Sequence, residues 1–214
     1  MCQAKPSCAR RSGASGCWSN ARRSGTLLRQ RGPPGVLHSE DRLLISATRM
    51  LKPHEIFSRM SPAVAAQLLG FLQEKETRLY KATIETVAKS RKLRPVFIER
   101  RPRDDRYAWL QTHIGKPAHD GVAAHLLQIW LVGAQATLLC DFLDALGIAH
   151  DENGTVESLP SSPPKPELAT AVDSLVTKHE PAVVAVYLHA FQAMDEKGWD
   201  SLAELLAEDP RLRL

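Results

Sequence analysis

The sequence predicts an all-α protein: an irregular helical bundle around a long central apolar helix, preceded by a disordered basic N-terminal extension. Three observations predict it. From Ser61 onward apolar residues recur at spacings of three to five, the repeat of one helix face. Segments that alternate as strands do are too few to build a sheet. The composition also changes near residue 60: residues 1–59 carry 11 Lys/Arg and 3 Asp/Glu, whereas residues 60–214 carry 17 and 21. The net charge of +4 therefore averages a basic segment and a mildly acidic one. With 214 residues, 43% of them apolar, the chain can bury one good core or two small ones.

Residues 1–39 hold seven Lys/Arg, no acid, and much Ser and Gly. Three readings of this composition stay open: a disordered or translated upstream extension, an organellar transit peptide, or a basic arm. Met50 and Met60 both lie where patterned sequence begins. Arg10, Arg11, Arg22 and Arg23 interrupt every apolar run, so a secretory signal is not expected. The expected location is cytoplasmic, or organellar if residues 1–39 are a transit peptide. Between Asp41 and Met60 a weak helical pattern is interrupted by Pro53. The domain reading is thus an extension over 1–59 and a helical domain over 60–214, divisible into lobes 60–159 and 167–214.

Ser61 and Pro62 form an N-cap and first helical residue. Val64, Leu68, Leu72, Leu79, Ile84 and Val87 extend one amphipathic helix to about Ser90, with a bend near Gly70. Pro95 and Pro102 exclude a long helix between them and permit a short extended piece at Val96, Phe97 and Ile98. Asp104 or Asp105 can cap a helix through Tyr107, Trp109, Leu110 and Ile114, which Gly115 and Pro117 end. From Asp120 to Leu146 apolar residues cover most of the circumference, which predicts one 27-residue helix at the centre of the bundle. Gly147 closes it in the left-handed conformation, with Ile148 packing back on Leu143. Asn153-Gly154 marks a tight turn that can pair extended pieces around Ile148 and Val156. Pro160, Pro163, Pro164 and Pro166 form an extended linker. Three helices follow: one with Leu168, Val172, Leu175 and Val176, one opening at Pro181, and one with Ser201 and Glu204 as a capping box.

Several chemistries are poorly supported. Cys2, Cys8, Cys17 and Cys140 form neither a disulfide framework nor close metal-ligand pairs. The most apolar stretch, Ala123 to Cys140, contains His125, Gln128, Gln135 and Thr137, which reads as a buried helix of a soluble protein. Cys140 itself has Asp141 and Asp144 beside it and reads as a small core residue. No Gly-x-Ser-x-Gly and no glycine-rich phosphate loop occurs. The polar run His150 to Glu157 lacks the Gly and Glu positions of an EF-hand calcium loop and reads as a turn.

Two constellations remain. Lys92, Arg94, Arg100, Arg101, Arg103 and Arg106 lead a segment, residues 89–106, with eight basic and three acidic residues. Phe97, Tyr107 and Trp109 lie in or beside it. Guanidinium groups near aromatic faces suit single-stranded nucleic acid or an acidic partner. They also suit a solvated connector facing the acidic residues 107–214, which hold 6 basic and 15 acidic side chains. The second is His119-Asp120, near His113 and His125. The doublet resembles that of metal-dependent phosphohydrolases with all-α folds, which implies a metal-dependent hydrolase. Here it opens an apolar helix instead of closing one, where Asp120 has a ready role as cap or dipole partner. His119 and His125, six apart, fall on opposite helix faces.

The leading expectation is a non-enzymatic helical protein-interaction module that needs no cofactor or metal and binds a protein partner or a second copy of itself. The alternative is a nonspecific single-stranded nucleic-acid-associated protein using Lys92 to Arg106, and the third is a hydrolase using His119 and Asp120.

Overall fold

Prolines sit where helices start. A computed structural model describes residues 50–152, 154–156, 161–194 and 198–214, and among them are ten α-helices and no strand. The basic extension therefore lies outside the described residues as far as residue 49. The first helix, α1 (Pro53–Arg59), begins on the proline that the sequence pattern marked as an interruption. At the first helical position proline lacks only an N–H that the helix would leave unpaired. Ile56 and Phe57 of α1 are fully buried, so the folded unit includes residues before the expected boundary at 60.

In α2 (Pro62–Lys75) the Ser61 hydroxyl caps the Val64 N–H at 3.3 Å, as the sequence indicated. The expected single helix to Ser90 breaks at Glu76, and α3 (Thr77–Ser90) follows. Residues 73–78 are all polar. With no apolar stripe to keep in register, the chain is free to redirect there instead of at Gly70. Between Pro95 and Pro102 the chain forms a one-turn helix, α4 (Pro95–Glu99), not an extended piece. Both prolines occupy tolerated places, Pro95 at the helix start and Pro102 as the N-cap of α5 (Arg103–Ile114). Asp104 and Asp105 lie in the first turn of α5 and do not cap it.

The long central helix is replaced by two. After a 3-10 turn at Pro117–His119, α6 (Asp120–Ala134) and α7 (Ala136–Ala145) meet at Gln135 with a 79° bend. Gln135 N–H reaches back five residues to the Trp130 carbonyl at 3.3 Å, a widened turn. Gly133 lies against Phe71 so closely that a Cβ would stand 2.7 Å from the ring tip. The bend gives each half its own neighbours: α6 packs on α1 and α2, and α7 packs on α8 (Lys165–Lys178). Among the described residues no single helix is long and apolar enough to cross a membrane.

Gly147 closes α7 as expected, at φ +65°, with Ile148 N–H on the Leu143 carbonyl and Gly147 N–H on that of Asp144. The turn at Gly154 forms without flanking strands among the described residues; Asn153 lies outside them. The helix enclosed on all sides is α9 (Pro181–Met194), where Val183 through Leu188 are consecutively buried. It packs against α1, α6, α8 and α10 (Asp200–Glu208). Residues on both sides of the proline-rich stretch thus share one buried cluster, from Ile56 to Leu212. The expected capping box on α10 is absent: Trp199 is its N-cap, and the Ser201 hydroxyl donates to the Pro163 carbonyl at 2.6 Å.

Candidate functional site

The corner where α3, α4 and α5 meet carries the cationic segment, and the fold divides its residues into two sets. Arg103 and Arg106 are engaged within the protein. Arg103 Nε donates to the Tyr107 hydroxyl at 3.2 Å, and its guanidinium lies 5.3 Å from that ring's centre. The bond to Tyr107 raises the Arg103 pKa further. Arg106 donates to the Glu99 carbonyl at 2.8 Å and to Gln73 Oε1 at 3.3 Å, while its buried Nε has no partner. The Tyr107 hydroxyl donates to the same Gln73 oxygen at 2.7 Å, which ties α5 to α2. Tyr80, edge-on to Tyr107, keeps a buried hydroxyl whose pKa burial raises and Arg106 opposes.

Lys92, Arg94 and Arg100 face outward and make no ion pair among the described residues. Lys92 takes φ +54° at the end of α3, a left-handed closure that a lysine adopts only with strain. Arg94 and Arg100 flank α4 as its N-cap and C-cap residues. Val96 and Phe97 between them, and Leu93 just before Arg94, stand exposed, Phe97 to 59%. Arg101 lies 5.6 Å from the Trp109 ring centre, and His113 stacks on the same ring at 4.0 Å. Burial lowers the His113 pKa against the raising effect of its bond to the Trp109 carbonyl.

His119 and Asp120 turn toward different helices. His119 Nε2 meets the Ser90 hydroxyl at 3.0 Å, and burial lowers its pKa. Asp120 accepts from His54 Nδ1 at 2.6 Å and from the His54 N–H at 3.1 Å, which joins the start of α6 to α1. Burial works to raise the Asp120 pKa, but the His54 bonds prevail and lower it. His125 is exposed, and among the described residues no group of three His, Cys, Asp or Glu side chains is placed to hold a metal ion. The Asp151 turn is closed internally, with its side chain accepting the Thr155 N–H at 2.7 Å.

No family model, no curated protein and no solved structure matches the chain.

Two features have no local signal in the sequence. Asp141 of α7 accepts from Lys178 and pairs with His179, both at 2.7 Å, across a separation of 37 to 38 residues. Lys178 first and His179 second hold its carboxyl below the usual range. The other is an apolar cavity of about 490 Å³ between α6, α7 and α9, lined by Leu131, Leu139, Leu143, Phe191 and Tyr187 with Gln128 at one side. Its walls come from segments that the expected single central helix would have held apart.

Proposed function

We propose that the chain is a non-enzymatic helical interaction module that docks a protein partner, bearing acidic and apolar side chains, on the corner formed by α3, α4 and α5. One observation carries this reading: Leu93, Val96 and Phe97 are exposed together, bordered by Lys92, Arg94 and Arg100, which have no ion pair of their own among the described residues. An apolar centre with a polar rim, rich in aromatic and arginine side chains, is the anatomy of a protein interface. Unpaired cations at the rim favour a partner of opposite charge and speed its approach.

The nucleic-acid alternative uses the same cations but asks for several open rings along a strand. Trp109 already carries Arg101 and His113, so Phe97 is the aromatic ring that this corner offers.

The test is site-specific photo-crosslinking at position 97 in the full chain, followed by identification of the captured species. The expected result is one stoichiometric acidic protein, lost with Phe97→Asp and with Arg94→Ala/Arg100→Ala while thermal stability is unchanged. Capture that survives both variants overturns the reading. Salt-sensitive retention of a single-stranded oligonucleotide, lost with the arginine variant, assigns the corner to nucleic acid instead.

A further inference from the structure

We infer that the end of α3 and the turn joining α5 to α6 form a binding site for a divalent tetrahedral oxyanion of the phosphate class, which enters together with protons taken up by His113 and His119. The site uses Arg91, Arg101 and Lys116, none of which the α4 corner requires, so it does not rest on that reading.

A chain of short contacts gathers these residues. Ser90 ends α3, and its hydroxyl meets His119 Nε2 at 3.0 Å, which holds the end of that helix against the turn at Pro117–His119. Lys116 is tied to both histidines through the backbone: its N–H donates to the His113 carbonyl at 3.3 Å, and its carbonyl accepts the His119 N–H at 2.9 Å. His113 stacks on Trp109 at 4.0 Å, with the Arg101 guanidinium 5.6 Å from the same ring. Arg91 follows Ser90 directly in the chain. Arg91, Arg101 and Lys116 are exposed and have no ion pair among the described residues. The charged groups of the neighbouring helices are engaged elsewhere: Asp120 of α6 accepts from His54 of α1, Glu55 accepts the Lys52 N–H at 2.9 Å, and Arg59 bears on His189. Three cations without a counter-ion around one hydroxyl leave a positive field that a doubly charged anion neutralises best.

The hydrogen bonds fix where each imidazole carries its proton. The Ser90 hydroxyl donates to the Val87 carbonyl at 2.8 Å, so it accepts from His119 Nε2, and Nδ1 is the nitrogen left to take a second proton. His113 Nδ1 donates to the Trp109 carbonyl at 2.8 Å, which leaves Nε2 for the same purpose. Burial lowers the His113 pKa, the Trp109 carbonyl opposes it, and Lys116, Arg91 and Arg101 lower it again. At His119 burial acts first, followed by His113 and Lys116. Both rings are therefore neutral near neutral pH. An anion cancels the repulsion of the surrounding cations, so its arrival draws a proton onto each ring and turns a bare acceptor into a charged donor.

The test is calorimetric titration of the full chain at low ionic strength with inorganic phosphate, O-phospho-N-acetylserine amide, sulfate and chloride. Phosphate and sulfate should saturate one site, and chloride should bind about tenfold more weakly. Sulfate stays a dianion, so proton uptake measured with it near neutral pH, in two buffers of different ionisation heat, reports the histidines. Uptake is expected, and His113→Gln should reduce it. Arg91→Gln/Lys116→Gln, at exposed positions, should weaken phosphate binding about tenfold with the melting temperature of the free protein unchanged. Tighter binding of the phosphoserine amide than of phosphate identifies a phosphorylated chain as the source of the anion; equal or weaker binding identifies the free anion, and both results uphold the site. No saturable phosphate binding, chloride binding as tight as phosphate, no proton uptake with sulfate, or phosphate binding unchanged in Arg91→Gln/Lys116→Gln overturns the proposal. Phe97→Ala leaves phosphate binding unchanged, so failure here is distinguishable from failure at the α4 corner.

Discussion

Phe57→Ala in the full chain measures how much of the fold depends on α1. Phe57 is completely buried, beside an equally buried Ile56, and its carbonyl and that of Met60 accept from Gln111 of α5 at 3.4 and 2.8 Å. Removing the ring deletes its burial and leaves a void between α1 and the helices it packs on, α5, α6 and α9. Such truncations cost about 3–5 kcal/mol, a large part of the roughly 5–15 kcal/mol that holds a domain folded. For a unit of this size that corresponds to a fall in melting temperature of roughly 10 °C. The assay is urea unfolding followed by circular dichroism, with Ser58→Ala, an exposed neighbour whose hydroxyl bonds only the Glu55 carbonyl, as control. A loss under about 1 kcal/mol, close to that of an ordinary surface substitution, would refute the placement of α1 in the core.

The remaining predictions concern charge and backbone. Asp141→Asn should destabilise by about 1 kcal/mol near neutral pH, a value reduced by the partial exposure of the pair. Because the folded-state pKa of Asp141 is lowered, its contribution is present above the unfolded carboxylate value of about 3.9 and fades as pH falls through the folded value. Wild type and variant should therefore converge in acid unfolding as pH falls through the folded-state value, and a difference constant from neutral pH into acid would contradict the pairing. Lys92→Gly should stabilise by about 0.5–1 kcal/mol, since glycine relieves the left-handed strain at φ +54°. Gly147→Ala, with nothing within 4 Å of the added methyl, should cost about 1 kcal/mol through backbone strain alone. Paired chemical denaturation of these two variants, with shifts of opposite sign, is the check.

Much of the architecture was legible in local sequence because helix ends are local chemistry. Ser61-Pro62, Gly147-Ile148 and Pro181 act through residues within one turn of themselves, and each stands where its pattern placed it. Pro53 was misread for the complementary reason. A proline marks a boundary, but whether helix lies before or after it depends on what the flanking residues bury, and Ile56 and Phe57 bury against α6 and α9. The Ser201/Glu204 box failed likewise, because the Ser201 hydroxyl bonds the Pro163 carbonyl, 38 residues earlier.

The candidate site was legible as composition and illegible as geometry. Eight cations in residues 89–106 can be counted in the sequence, yet which of them are free depends on Gln73 and Glu74 of α2. By itself the sequence determined that the domain is helical, where most helices begin, and that its charge is concentrated in one segment. Tertiary structure alone decided that residues 120–146 bend at Gln135, that α9 occupies the centre, and that Asp120 and Asp141 pair with histidines of other helices. The physical reason is range: caps and apolar periodicity act within one or two turns of the chain, whereas a long all-apolar segment can bury its surface straight or bent, and only its packing partners distinguish the two.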